Sequence, residues 1–149
     1  MAFKAGARSL KNLQGVHPKL VAVVHRALEI GLVDFAVICG VRTQAEQNAL
    51  YAQGRTKPGK IVTWTRNSNH RVNPATGFGH AVDLFPGTWE IIDNKKTPEI
   101  DDAYALVNRA MMQAAKELGV KIRWGANWDG DKMIREKGET DNPHFELVL

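Results

Sequence analysis

One short stretch decides how this chain folds: Gly79-His80-Ala81-Val82-Asp83-Leu84-Phe85. We predict a strand here, because small and apolar residues surround Asp83 and because Pro86-Gly87 ends the run. Side chains alternate along a strand, so Ala81, Asp83 and Phe85 share one face. A carboxylate on a core-facing strand is costly unless it is paired or binds a metal. Asp83 therefore indicates either a paired carboxylate or a metal ligand.

The segments around this strand predict both helices and further strands. Apolar residues at helical spacing follow Pro18, and Gly31 ends that helix. A capping box at Thr43 and Glu46 begins a second helix, which stops at Gly54. A third, long helix is predicted from residue 101 or 102, capped by the aspartate there, to residue 118. Its predicted apolar face consists of Tyr104, Val107, Met111, Ala114, Ala115 and Leu118.

Strands are predicted at residues 35–39, 79–85, 120–124 and 144–149, and loops at 54–69, 86–100 and 125–142. The elements mix without a regular βαβ alternation. We therefore predict an α+β fold, with a small, mainly antiparallel sheet and packed helices.

Length and composition restrict the class of protein. The 149 residues are 44% hydrophobic and 24% charged, which predicts one globular domain over residues 1–149 and excludes a disordered or fibrous chain. The single cysteine, Cys39, excludes a disulfide framework and a Cys-rich zinc finger, and we interpret it as a small hydrophobic residue. Residues 1–13 lack an apolar signal core, and no stretch approaches the ~18–20 apolar residues that span a bilayer. We expect a protein without stable membrane insertion that stays in the cytoplasm unless something moves it.

The net charge of +4 is unevenly distributed. Residues 1–80 hold 11 Lys and Arg against 3 Asp and Glu, whereas residues 81–149 hold 9 against 13. The basic half suits a polyanion such as nucleic acid, an anionic membrane or a cell-wall polymer, or it is simply a solvated surface. Because no nucleic-acid-reading motif is present, we predict no nucleic-acid partner.

Three residues have the chemistry of a metal site. His70 closes a polar loop, Asp83 lies on the strand above, and His144 begins the last apolar strand. Two imidazoles and a carboxylate leave one tetrahedral position open, as in catalytic zinc sites, and they suit Zn²⁺ better than other divalent metals. Spacing alone does not distinguish such a site from three unconnected side chains. The other histidines, His17 and His25, are interpreted as surface or helix-end residues on the first helix.

Asp141 strengthens the metal hypothesis. It stands three residues before His144, so a turn would bring its carboxylate near a metal without ligating it. A hydrolytic zinc site needs such a general base to take a proton from water. The alternative is that Asp141 caps the turn into the strand, and both roles can hold at once.

These residues carry a family resemblance. Ser68-Asn69-His70 followed by residues 79–84 resembles the Ser-x-His…Gly-x-Ala-x-Asp motif of zinc D,D- and L,D-peptidases related to the D-alanyl-D-alanine carboxypeptidases. Residues 141–147 resemble the second motif of that family. The opening residues 8–18, the Val41-Arg42-Thr43 segment and residues 122–128 are similar to the corresponding segments of phage endolysins that are L-alanyl-D-glutamate peptidases. The resemblance covers most of the chain, in order.

The resemblance implies a fold shared with hedgehog signalling domains and a zinc ion held by His70, Asp83 and His144. It implies that Asp141 is the catalytic base and that Arg42 holds a substrate carbonyl or carboxylate, for which a charged fork of donors is suited. The substrate would be bacterial peptidoglycan, cut at the L-Ala–D-Glu bond of the stem peptide. We expect a monomer that needs a holin to pass from the host cytoplasm to the periplasm and cell wall.

Several assignments stay open. Residues 71–78 are an insertion relative to the family motif, so His80 could replace His70 as a ligand. We favour His70, because His80 and Asp83 have opposite parity on a strand. Ser68 could position substrate or make a loop hydrogen bond.

Alternatives also remain for the position of two tryptophans and for the activity of the protein. Trp124 and Trp128 could wall a substrate cleft or belong to the core. The functional alternatives are a D,D-carboxypeptidase or dipeptidase on the same fold and a basic, non-enzymatic binding module.

Overall fold

Helices and strands alternate irregularly in the computed structural model, which describes residues 2–59, 68–86, 98–125 and 143–148, with only the backbone for 98–102. The helices in these ranges are α1 (Ala7–Asn12), α2 (Pro18–Ile30), α3 (Gln44–Ala52) and α4 (Pro98–Leu118). The strands are β1 (Phe35–Cys39), β2 (Val72–Asn73), β3 (Phe78–Gly79), β4 (Ala81–Pro86), β5 (Ile122–Trp124) and β6 (His144–Leu147).

Four of the strands form one antiparallel sheet in the order β1-β4-β6-β5. The strand predicted at residues 79–85 is divided in the structure: Gly79 belongs to β3, and β4 runs from Ala81 to Pro86. Strand β4 lies between β1 and β6. Its register sets Asp83 opposite Cys39 on one side and opposite His144 on the other. This arrangement confirms the predicted α+β fold with an antiparallel sheet.

The hydrophobic core lies between this sheet and the two longest helices. Val82, Leu84 and Phe145 are fully buried there among apolar residues of α2 and α4. Alternation along a strand places the neighbours of these residues on the other face. Asp83, His144 and Glu146 thus share the face opposite the core.

Local sequence signals account for α2 and α3. His17 caps α2 and Pro18 begins it, while Gly31 ends it in the left-handed conformation at φ +77°. At α3, the Thr43 side chain accepts from the Glu46 amide and the Glu46 carboxylate accepts from the Thr43 amide. The predicted capping box is confirmed.

The long helix ends at residue 118 as predicted but differs from the prediction in its start and in the exposure of its last residue. It begins at Pro98 rather than at residue 101 or 102, because proline fits the first helical turn, where its missing N–H would have no helical partner. Leu118, predicted on the apolar face, is 46% exposed. It is the last residue of α4, and the chain turns away at Gly119 with φ +68°. The other five residues of that face lie in the core.

Two further features were not predicted. Helix α1 covers the edge strand β1, where Ser9 Oγ accepts from the Val37 amide at 3.0 Å and Asn12 Nδ2 donates to the Val37 carbonyl at 2.7 Å. The insertion at residues 71–78 forms a small hairpin, in which β2 pairs with β3. None of the helices in the described part of the chain is long and apolar enough to cross a membrane.

Candidate active site

Two histidines converge on one carboxylate oxygen. His70 Nε2 lies 3.2 Å from Asp83 Oδ1, and His144 Nδ1 lies 3.5 Å from the same oxygen. The two imidazole rings stand edge to face with centroids 5.0 Å apart. The structure thus brings together the three residues that the sequence predicts as metal ligands.

Each histidine is fixed by a hydrogen bond from its other ring nitrogen. His70 Nδ1 lies 2.7 Å from the carbonyl oxygen of Gly40, and His144 Nε2 lies 2.9 Å from Glu146 Oε1. Carbonyl and carboxylate oxygens only accept, so each of these nitrogens carries the proton. In the neutral rings the lone pairs are then on His70 Nε2 and His144 Nδ1, and both of these atoms face Asp83. Two nitrogens and one carboxylate oxygen in this arrangement fit a divalent metal ion.

The backbone around His70 places its ring. Ser68 Oγ accepts from the His70 amide at 3.1 Å, and the His70 carbonyl accepts from the Arg42 amide at 2.8 Å. The carbonyl that orients the ring belongs to Gly40, where a Cβ would overlap the carbonyl oxygen of Asn12. Glycine is required at that position because the backbone passes too close for any side chain.

Cys39 is a further potential ligand. Its Sγ lies 3.9 Å from His70 Nδ1, and ligand atoms of Cys39, His70 and Asp83 all lie within 4.8 Å of one another. Burial raises the pKa of the Cys39 thiol, but the contact with His70 and the positive charges of His70 and Arg42 together outweigh it, so the net shift is downward. The interpretation of Cys39 as a small hydrophobic residue was therefore incomplete, because its thiol is half-buried beside the site rather than in the core.

The charges at this centre stabilise one another. Burial alone would raise the pKa of Asp83, yet hydrogen bonds from His144 and His70 hold it well below its usual range. Burial alone would lower the pKa of His70, whereas its bonds to Asp83 and Cys39 raise it to about 9. The pKa of His144 also rises, since its bonds to Asp83 and Glu146 outweigh burial. A metal ion must displace these protons to bind, so its affinity depends on pH.

Arg42 contacts the same carboxylate from the other side. Its Nη2 atom lies 3.3 Å from Asp83 Oδ2, and its Nη1 atom donates to Gln47 Oε1 at 3.1 Å. Gln47 is fully buried on α3, whose start is fixed by the capping box at Thr43. The guanidinium is therefore held at the edge of the site by a helix as well as by Asp83.

The other predicted site residues fall into three groups. Ser68 makes the loop hydrogen bond described above. Trp124 is 2% exposed and stacks on Phe145 in the core, which favours the core interpretation over a place in a cleft wall. Asp141 and Trp128 lie outside the described residues.

His80 and His17 lie in a separate group. The His80 ring is 5.5 Å from that of His17, and its Nε2 lies 2.7 Å from Thr76 Oγ1 in the hairpin turn. His17 is the helix-end residue that was predicted. The geometry thus supports His70 rather than His80 as the partner of Asp83.

Sequence reasoning missed two polar residues at the site, Gln47 and Glu146. A local signal for Gln47 was present: with Thr43 as the N-cap, Arg42 directly precedes the cap and Gln47 is the fourth helical residue, and these two positions lie close together. A signal for Glu146 was present: His144 and Glu146 are two apart on an apolar strand, so they share a face.

Comparisons with known proteins decide the family. The family model described as phage L-alanyl-D-glutamate peptidase matches residues 1–148. The chain belongs to this family. The predicted resemblance and the predicted peptidase activity are thereby confirmed.

Individual members of the group are similar over most of the chain. The L-alanyl-D-glutamate peptidase of Escherichia phage T5 is 34% identical over 151 residues, covering 99% of this chain and all of that protein. The peptidoglycan L-alanyl-D-glutamate endopeptidase CwlK of Bacillus subtilis (strain 168) is 29% identical over 119 residues, which cover 78% of this chain and 62% of CwlK. The crystal structure of the Serratia marcescens L-Ala D-Glu endopeptidase ChiX matches with a TM-score of 0.67 and 33% identity, covering 99% of this chain and 90% of that one. The fold is therefore that of L-Ala-D-Glu endopeptidases, as the resemblance implied.

Proposed function

We propose that this phage-family peptidase is a zinc-dependent endopeptidase that hydrolyses the L-Ala–D-Glu bond of the peptidoglycan stem peptide. The observation that carries the proposal is the convergence of His70 Nε2 and His144 Nδ1 on Asp83 Oδ1, in a chain that matches this family over residues 1–148. The names of its relatives in phage T5, Bacillus and Serratia support the choice of bond.

Zinc is the metal that suits the donor set. Two neutral imidazole nitrogens and one carboxylate oxygen are typical of catalytic zinc sites, which keep a fourth position open. When bound, Zn²⁺ supplies Lewis acidity and lowers the pKa of water toward about 7. The half-buried thiol of Cys39 adds a soft donor near the same place, which further favours zinc over magnesium or calcium.

In this proposal Asp141 transfers protons, and Arg42 stabilises the negative charge that develops on the substrate. Asp141 accepts the proton from the attacking water and passes it to the leaving amine, which is the work of a general base and then a general acid. Arg42 donates to the substrate oxygen on which negative charge develops, because its guanidinium already lies at Asp83 and stays charged. Ser68 contributes indirectly, by holding the backbone of His70.

The biological setting follows the family. We propose that residues 1–149 act as a single catalytic domain and as a monomer on peptidoglycan, without nucleic acid as a partner. In the phage setting, the enzyme is made in the host cytoplasm and reaches the periplasm and cell wall through a holin. The basic half of the sequence suits an anionic wall polymer.

Defined peptides test the choice of bond. We expect purified protein loaded with zinc to cut L-Ala–D-Glu-containing stem peptides and to leave D-Ala-D-Ala ends intact. Release of D-alanine instead would favour the alternative D,D-carboxypeptidase activity. No cleavage of either peptide, with binding to the wall retained, would favour a non-enzymatic module and overturn the proposal.

A further inference from the structure

Glu146 is a buried carboxylate in contact with both histidine-bearing segments. It is 6% exposed and lies on β6, opposite Ala81 of β4 and Arg123 of β5. Its Oε2 accepts from Arg123 Nη2 at 2.6 Å and from Asn69 Nδ2 at 2.9 Å, while its Oε1 lies 2.9 Å from His144 Nε2. A buried charge is tolerated only with such partners, so the carboxylate is held in one place.

The contact with His144 determines which ring nitrogen is available. Glu146 Oε2 already accepts from Arg123 and Asn69, and a carboxylate held by these donors presents its Oε1 to His144 Nε2 as an acceptor. His144 Nε2 must therefore carry the hydrogen. In the neutral imidazole the lone pair is then on Nδ1, the atom that lies 3.5 Å from Asp83 Oδ1.

The contact with Asn69 extends this effect to the other histidine. Asn69 directly precedes His70, and its carbonyl oxygen accepts from the His80 amide at 2.8 Å. The same Glu146 side chain therefore connects the strand that carries His144 to the turn that carries His70. These two segments are 74 positions apart in the sequence, and no local signal would bring them together.

We infer that Glu146 is a positioning residue for the metal centre, which sets the tautomer and orientation of His144 and ties that strand to the Asn69-His70 turn. The inference rests on the metal site in the proposed function. Outer partners of metal-bound histidines fix the ring and raise its basicity, and their loss typically weakens metal affinity about 10–100-fold.

Two substitutions and one matched control test this role. Glu146→Ala removes the acceptor, whereas Glu146→Gln keeps the shape and one acceptor oxygen but removes the charge. Glu117→Ala is the control, because Glu117 also pairs with an arginine, Arg26, on the helical surface. Zinc affinity is measured by competition with a chromophoric chelator, and thermal unfolding of the metal-free variants reports their folding.

We expect zinc affinity to fall about 10–100-fold in Glu146→Ala, by less in Glu146→Gln, and not in Glu117→Ala. In the zinc-loaded wild type, ¹⁵N NMR is expected to show the ring proton of His144 on Nε2. Glu146→Gln should still unfold cooperatively in the metal-free state, at a lower midpoint because the charge paired with Arg123 is lost. It should also shift that proton resonance upfield, because an amide is a weaker acceptor than a carboxylate.

Two results would overturn the inference. One is wild-type zinc affinity in both Glu146 variants. The other is a ring proton on Nδ1 in the zinc-loaded wild type, a measurement that needs no substitution and stays decisive if the alanine variant unfolds. A wild-type protein that binds no zinc would overturn the proposed metal centre together with this inference, whereas tight zinc binding by wild type and variants alike would overturn the inference alone.

Discussion

Asp83 and His144 are paired directly across strands β4 and β6, and their side chains meet with Nδ1 3.5 Å from Oδ1. Both residues lie on the face of the sheet opposite Val82, Leu84 and Phe145, which fill the core. Strands packed on one side hold their side chains on the other side more precisely than loops do. His70, in contrast, reaches this pair from a turn and depends on hydrogen bonds to Gly40 and Ser68 for its position.

Alanine substitutions at His70 and His80 distinguish the two candidate ligands. We expect His70→Ala to lose stoichiometric zinc and peptidase activity, because its Nε2 faces Asp83. His80→Ala is the matched control and should retain zinc, since its ring contacts Thr76 and His17 instead. Metal content by mass spectrometry of the purified variants gives the answer. Loss of zinc in His80→Ala with retention in His70→Ala would reverse the assignment.

Replacing Arg42 separates charge from geometry. We expect Arg42→Lys to retain zinc but to lower kcat about 10²–10³-fold, because one ammonium does not replace the fork that contacts both Asp83 and Gln47. Arg55→Lys is the control, as Arg55 is exposed and lies over the half-buried ring of Tyr51. Kinetics on a defined stem peptide measure the effect. A kcat for Arg42→Lys equal to that of the wild type would contradict a role in catalysis.

The stability of the metal-free protein should depend on pH in a defined direction. The pKa of His70 is raised to about 9, so its contribution to the free energy of unfolding is complete below about pH 6.5 and is lost as pH rises toward 9. The pKa of Asp83 is lowered, so its contribution is present above about pH 4 and is lost as pH falls. We therefore expect maximal stability of the metal-free protein between about pH 4 and 6.5.

Between pH 6.5 and 9, zinc affinity should change in the direction opposite to the stability of the metal-free protein. It should increase from pH 6.5 to 9, because the histidines release protons that compete with the metal. Denaturant unfolding with and without zinc across this range measures both effects. Asp83→Asn should abolish most of the pH dependence in the metal-free protein. An unfolding free energy that is constant from pH 6.5 to 9 in the wild type would count against the paired histidine.

Much of the fold could be predicted from the sequence because its signals are local. Pro18 and Gly31 bound α2, and the capping box at Thr43 begins α3, whatever the rest of the chain does. The start of α4 was misplaced because Asp101 and Asp102 are good caps in isolation, whereas the helix already begins at Pro98. Helix α1 was missed because it has only six residues. It is held in place by hydrogen bonds between the side chains of Ser9 and Asn12 and the backbone of Val37.

In the candidate site, too, residues with a local signal could be predicted, whereas contacts that depend on tertiary packing could not. The sequence indicated His70, Asp83 and His144 by residue type and family motif. It could not indicate Asn69 against Glu146, because this contact joins segments that only tertiary packing brings together. Trp124 was ambiguous for the same reason, since alternation on β5 does not reveal whether its face meets the core or a cleft.

Asp141 is expected to act on protons and not on the metal. Asp141→Ala should fold, bind zinc with near wild-type affinity and lose at least about 10²–10⁴-fold in kcat, the usual contribution of a general base. His144→Ala is the contrasting variant and should lose zinc. Calorimetric zinc titration and peptide kinetics separate the two. Wild-type hydrolysis by Asp141→Ala would show that another group is the base.

Digestion of purified peptidoglycan tests the central claim most directly. The protein is incubated with peptidoglycan in zinc, in chelator, and in chelator followed by added zinc, and the new termini are identified by mass spectrometry. We expect new amino-terminal D-Glu and carboxyl-terminal L-Ala in the first and third reactions and none in the second. New termini at any other bond, or cleavage that continues undiminished in chelator, would contradict the account.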